Sequence, residues 1–178
     1  MTSRQLVIDA SVARSAGGED ATFPLSKQCR DFLQTTLVVC RRAVFTTLVY
    51  EEWKRHQSRF ARKWRLAMVA RKKISLIEVP EDTALRAQID HVASDERARL
   101  AMSKDAHLIE AACATDFTVV SLDETVRRLF AKAAPGVRPL QPIIWANPDR
   151  EVEGCSTWLR SGAPPDEHRR LDARRTEA

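Results

Sequence analysis

Four acids, Asp9, Glu52, Asp105 and Asp123, stand where alternating strand and helix signals would bring carboxylates to one place. Asp9 ends the apolar run Gln5-Leu6-Val7-Ile8. Asp123 follows Phe117, Val119 and Val120, a short aromatic and β-branched run closed by Ser121. In a parallel sheet the carboxyl ends of strands share one edge, which is where open α/β sheets bind ligands. Glu52 lies early in a helical pattern starting near Thr46 or Thr47. Asp105 follows Ser103, which reads as the N-cap of a helix with Ala106, Leu108, Ile109, Ala112 and Cys113 on its apolar side. Carboxylates gathered this way repel and raise one another's pKa, so the group is unfavourable unless a cation joins it. Oxygen ligands without His or Cys suit Mg²⁺ or Mn²⁺. Three of the acids also have a plainer role: Asp9 and Asp123 as helix caps at strand-to-helix turns, Asp105 as a first-turn acid favoured by the helix dipole.

The totals favour one α/β domain with a tail, since 178 residues suffice for a sizeable core but seldom for two. A net charge of +5 points to an anionic partner, nucleic acid first. Cys29, Cys40, Cys113 and Cys155 are scattered without CxxC spacing, which excludes a recognisable zinc or disulfide framework. His56, His91, His107 and His168 lie at no ligand spacing and read as surface or core residues. No signal-peptide pattern or membrane-length apolar run is present, and a cytoplasmic location is expected.

The elements that must position the acids follow in order. After Asp9 a short helix through Ser11-Val12-Ala13 should break at Gly17-Gly18, and Ser26 should cap a helix with Cys29, Phe32, Leu33, Thr36 and Leu37 inward. Ala43-Val44-Phe45 reads as a strand, followed by one long helix from Leu48 to about Lys72. Trp53, Phe60, Trp64, Ala67 and Met68 form its apolar stripe. Between Lys54 and Lys73 that segment holds many cations and no acid, so Lys54, Arg55, Arg59, Arg62 and Arg65 are candidate phosphate contacts. Ser75–Val79 reads as a strand and Glu81–Ser94 as a helix with Ala84, Leu85, Ile89 and Val92 inward; a separate short helix runs from Asp95 through Met102. A helix through Val126, Leu129 and Phe130 and a last strand at Ile143-Ile144-Trp145 close a domain of residues 1–146. Residues 147–178 read as a flexible charged tail with Trp158-Leu159 as its only anchor.

This alternation argues for a three-layer α/β/α fold with a central parallel sheet. In order and spacing, LVIDAS, TTLVYEEW, SKDAHLIEAA and VVSLDE resemble the motifs of PIN-domain ribonucleases, a group that includes VapC-type toxins. The resemblance implies that Asp9, Asp105 and Asp123 are metal-site acids. Counting from Thr46 favours Glu52 as the helix acid, with Glu51 as the fallback, whereas Glu110 and Glu124 fit poorly. Ser121 is implied as a residue that orients a carboxylate. The implied activity is Mg²⁺- or Mn²⁺-dependent endonucleolytic cleavage of RNA, with a homodimer and a cognate antitoxin as further expectations. The alternatives are a PIN-like module that binds RNA or protein without cutting and an aspartyl phosphotransferase. The latter is disfavoured because Ser11 stands where such enzymes place a second Asp.

Overall fold

A computed structural model describes residues 4–39 and 41–173. Its one sheet contains β1 (Gln5–Ile8), β2 (Arg42–Phe45), β3 (Ile74–Leu76), β4 (Thr118–Val120) and β5 (Ile144–Ala146), all parallel, in the order β3-β2-β1-β4-β5. Around it lie α1 (Ala10–Ser15), α2 (Pro24–Val38), α3 (Thr47–His56), α4 (Arg59–Ala70), α5 (Thr83–Val92), α6 (Glu96–Cys113), α7 (Glu124–Ala133) and α8 (Cys155–Arg160). The chain winds outward from β1 to β3, then crosses back to β4 and β5. Right-handed crossovers therefore put α1 to α4 on one face and α5 to α7 on the other. The packing agrees, with α1 against α2 and α3, α2 against α4, and α6 against α5 and α7. The result is the three-layer α/β/α architecture. Among the described residues no helix is long and apolar enough to cross a membrane.

The middle strands are buried on both faces, so they show continuous apolar runs without alternation. Leu6, Val7, Ile8, Ala43, Val44, Phe45, Val119, Val120 and Trp145 are all buried. The carboxyl end of β1 is secured from two sides. Asp9 N donates to Val120 O at 2.9 Å, and the Trp53 indole donates to Ile8 O at 2.7 Å.

Several expected boundaries are corrected. The long basic helix is two, because the chain turns at Gln57-Ser58 to satisfy the end of α1: Ser58 N donates to Ala13 O and Phe60 N to Gly17 O. The Ser58 hydroxyl then caps α4 by accepting from Ala61 N at 3.2 Å. Helix α2 begins at Pro24, whose fixed φ and missing N–H suit a first turn, and Ser26 lies inside it. Of the α5 positions expected inward, Leu85 and Ile89 are buried, while Ala84 and Val92 are exposed. Glu96 to Cys113 is one helix, capped by Asp95 Oδ1 accepting from Ala98 N at 2.8 Å. Ser103 therefore caps nothing, and Asp105 sits mid-helix.

The flexible tail expected from Asn147 is corrected for residues 147–173, which fold back on the domain; Arg174 onward, like Cys40, lies outside the described residues. Helix α8 packs on α2, burying Trp158 and Leu159, and Leu171 N donates to Ile143 O at 2.9 Å. Buried Arg127 and Arg169 both pair with Glu153, and Arg169 also stacks over the Trp158 ring at 5.0 Å. Charges that composition assigns to solvent are here internal clasps. Leu159→Ala should cost about 2–4 kcal/mol by cavity formation. Arg169→Ala should cost on the order of 3 kcal/mol by leaving Glu153 under-paired. Urea denaturation measures both, and a loosely attached tail would leave the midpoints at the wild-type value.

Candidate active site

The strands β1 and β4 are neighbours, with Val7 opposite Val119 and Ile8 opposite Val120, and the connections leaving them go to opposite faces. Such a switch point opens a crevice at the carboxyl ends of the strands. Asp9 leaves β1 there, and Ser121 and Asp123 leave β4.

Asp9 occupies the N-cap position of α1, but its carboxylate does not cap. Asp9 Oδ2 accepts instead from the Ser11 hydroxyl and from the Ser121 hydroxyl, the latter at 2.8 Å. Ser11 Oγ in turn accepts from Leu122 N, and Ser121 Oγ from Asp123 N, both at 3.2 Å. Two hydroxyls thus tie the turn after β1 to the turn after β4 through one carboxylate oxygen. Asp123, which is exposed, does cap: its Oδ1 accepts from Val126 N at 2.9 Å.

Asp105 approaches this pair from α6, which packs on both β1 and β4. Its half-buried carboxyl is pushed up to about 6, first by burial and then by the negative charge of Asp9, with Asp123 adding to the effect against Lys104 and His107. The charges of Asp9 and Asp123 therefore reach Asp105 across the crevice.

Glu52 reaches α6 at His107 instead. Its Oε2 lies 3.3 Å from His107 Nε2, and this ring beside it holds Glu52 below the ordinary carboxylate range. His107 Nδ1 lies 3.0 Å from Lys104 O and must donate to it. A neutral ring would then aim its Nε2 lone pair at Glu52, so a second proton is favoured. Burial works against that proton, but the Glu52 carboxylate outweighs it and the His107 pKa is raised. Glu51, the fallback acid, instead pairs with Lys54 at 3.4 Å in a half-exposed position. His107 reads in the sequence as a surface or core residue, like the other histidines, because the four lie at no ligand spacing. Only the packing of α3 on α6 brings it to Glu52.

The other nearby acids are engaged elsewhere. Arg86 clasps buried Glu110 at 2.7 and 2.9 Å, and Glu124 binds Arg127, Asn147 and Arg150. The single basic face is also corrected. The turn at Gln57-Ser58 divides it, and acids outside it pair with part of it, Glu51 one turn earlier on α3 with Lys54 and the remote Glu19 with Lys63. Arg59 and Arg62 are exposed on α4, Arg59 near Glu19, while Lys54 and Arg65 flank the Tyr50 ring at 5.6 and 5.3 Å. Of the five named cations, Arg55 lies close enough to act on Glu52; Lys104, which sequence reading passed over, acts on both Glu52 and Asp105.

Oxygen donors and like-charge coupling at Asp105 are the chemistry that a hard divalent cation relieves. As the side chains stand, no three Asp, Glu, His or Cys groups among the described residues are set to hold one ion. Asp9 Oδ2 is turned to two serines and Asp123 Oδ1 to its helix. Comparison with known proteins adds no relative, because no family model matches the chain and no curated protein matches it.

The raised Asp105 pKa has a signed consequence for stability without metal. A carboxyl whose pKa rises on folding holds its proton more tightly in the folded chain. Its stabilising contribution is fully present below the unfolded value of 3.8 and is lost as pH rises through about 6. Asp105→Asn should therefore raise the metal-free melting temperature by about 2–4 °C at pH 7.5 and leave it unchanged near pH 3.5. Thermal melts at the two pH values in EDTA make the comparison.

Proposed function

We propose that the chain is a divalent-metal-dependent endoribonuclease of the PIN-like kind, hydrolysing RNA phosphodiester bonds at the crevice between β1 and β4. The observation that supports this most is Asp105, a half-buried carboxyl raised to about 6 beside Asp9 and Asp123, at the edge where α/β sheets bind ligands. Asp9, Asp105 and Asp123 would hold Mg²⁺ or Mn²⁺, with Glu52 as the fourth acid. The bound ion supplies an activated water and charge neutralisation at the scissile phosphate. Ser11 and Ser121 fix the Asp9 carboxylate by hydrogen bonds. His107 keeps Glu52 ionised. Lys104 and Arg55 attract the phosphate backbone to the rim. By its resemblance the protein would be a cytoplasmic toxin, homodimeric and blocked at its acidic edge by an antitoxin.

A second reading rests on a different observation. One oxygen of Asp9 and one of Asp123 are engaged within the chain, and no three ligating groups converge among the described residues. On this reading the chain is a PIN-like module that binds RNA or a protein without cutting.

Cleavage of a mixed RNA panel with Mn²⁺ or Mg²⁺ against EDTA separates the two, run beside Asp9→Asn and Asp105→Asn. The nuclease reading expects cutting that requires metal and falls by about 100-fold or more in each variant. It also expects either metal, at about 100 times its Kd, to stabilise the wild type by about 2.7 kcal/mol and Asp9→Asn by much less. RNA binding without cutting, together with melting that ignores the metal, would transfer the assignment to the binding module.

A further inference from the structure

The sheet has an open side at β3. Ala43 N donates to Lys73 O and Ile77 N donates to Phe45 O, so residues 73, 75 and 77 face β2. The alternation of a parallel ladder turns Ile74 and Leu76 outward. Arg42 covers the Ile74 carbonyl at 3.1 Å. Leu76 presents its peptide groups to the open side, and its side chain is 75% exposed.

Beside this edge lies a groove of about 820 Å³ between β3, α3 and α4. Phe45, Tyr50, Val69 and Ile74 form apolar walls, while Arg42, Arg65 and Lys72 stand against the one acid, Glu78. None of the three cations has a salt-bridge partner among the described residues.

We infer that this edge receives an extended, acidic and apolar segment of another protein, which adds as a strand beside β3. Its backbone pairs with Leu76, its alternate apolar side chains enter the groove, and its carboxylates meet Arg65 and Lys72. A second copy of this chain fits less well, since a two-fold contact would oppose two sets of the same cations. RNA would leave the exposed Leu76 and the strand edge unused. The inference is independent of the nuclease reading, because none of Asp9, Glu52, Asp105 and Asp123 lines the groove.

The test is fluorescence polarisation of the full chain with a labelled nine-residue peptide of alternating glutamate and valine, beside its lysine-valine counterpart. The acidic peptide should bind with a Kd on the order of 10 μM. The basic one should bind at least about tenfold more weakly. Leu76→Asp and Lys72→Glu should each weaken the acidic peptide by about tenfold. Both positions are exposed, so both variants should melt as the wild type does. Exchange of the Leu76 amide should slow when the acidic peptide binds. Equal binding of the two peptides, or unchanged binding by the variants, would overturn the inference. So would a concentration-dependent dimer abolished by Leu76→Asp, which would give the groove to a second copy, or displacement of the peptide by single-stranded RNA, which would give it to nucleic acid.

Discussion

A strand buried on both faces has no water to turn to, so each of its peptide groups must find a partner within the protein. β1 is under that constraint more than any other element, lying at the centre of the sheet with β2 on one side and β4 on the other. Where the ladder runs out, the Trp53 indole takes the carbonyl of Ile8. The chain can leave the sheet only after these obligations are met, and Asp9 is the residue at which it does. The location of the first acid is thus set by backbone hydrogen bonding, before any question of chemistry. Trp53 in turn fixes α3 over the end of β1, and with it the neighbouring Glu52.

The treatment of buried acids divides this molecule into two kinds of place. Glu110 is clasped by Arg86, and Glu153 is held between Arg127 and Arg169. Those carboxylates have the matched partners that burial demands. Asp105 is less exposed than a surface acid and has other aspartates as neighbours instead of a clasping arginine. Local conflict of this kind, in a chain that resolves it elsewhere, is characteristic of a functional site.

Much of this arrangement was legible in the sequence because strand ends have strong local causes. The run to Ile8 and the run to Val120 are β-branched and apolar, and the polar residues after them mark where burial stops. The sequence places Asp105 on the right helix but in the wrong turn. Ser103 has the side chain of a cap, but a cap forms only where the backbone is extended, and Asp95 had already met that need. The break at Ser58 is invisible for the opposite reason, since its cause is a pair of carbonyls more than forty residues away, Ala13 O on α1 and Gly17 O just past its end. The pairing of Glu52 with His107 and of Glu153 with two arginines is likewise tertiary. Residues 147–173 looked like tail because their burial rests on few apolar side chains and on charges that neutralise one another inside.

That folded-back segment also changes what the sheet can do as a polymer. Arg170 forms an antiparallel bridge to Ile144 on β5, so the outer strand on that side is already partly occupied. A sheet with two free edges is bifunctional, and strands can be added to it without limit, which is the route to fibres. With β5 partly covered by the segment around Arg170 and Leu171, the two edges are unequal, and strand addition is easier at β3 than at β5. An assembly that adds strands at only one edge ends at one partner instead of growing into an open array.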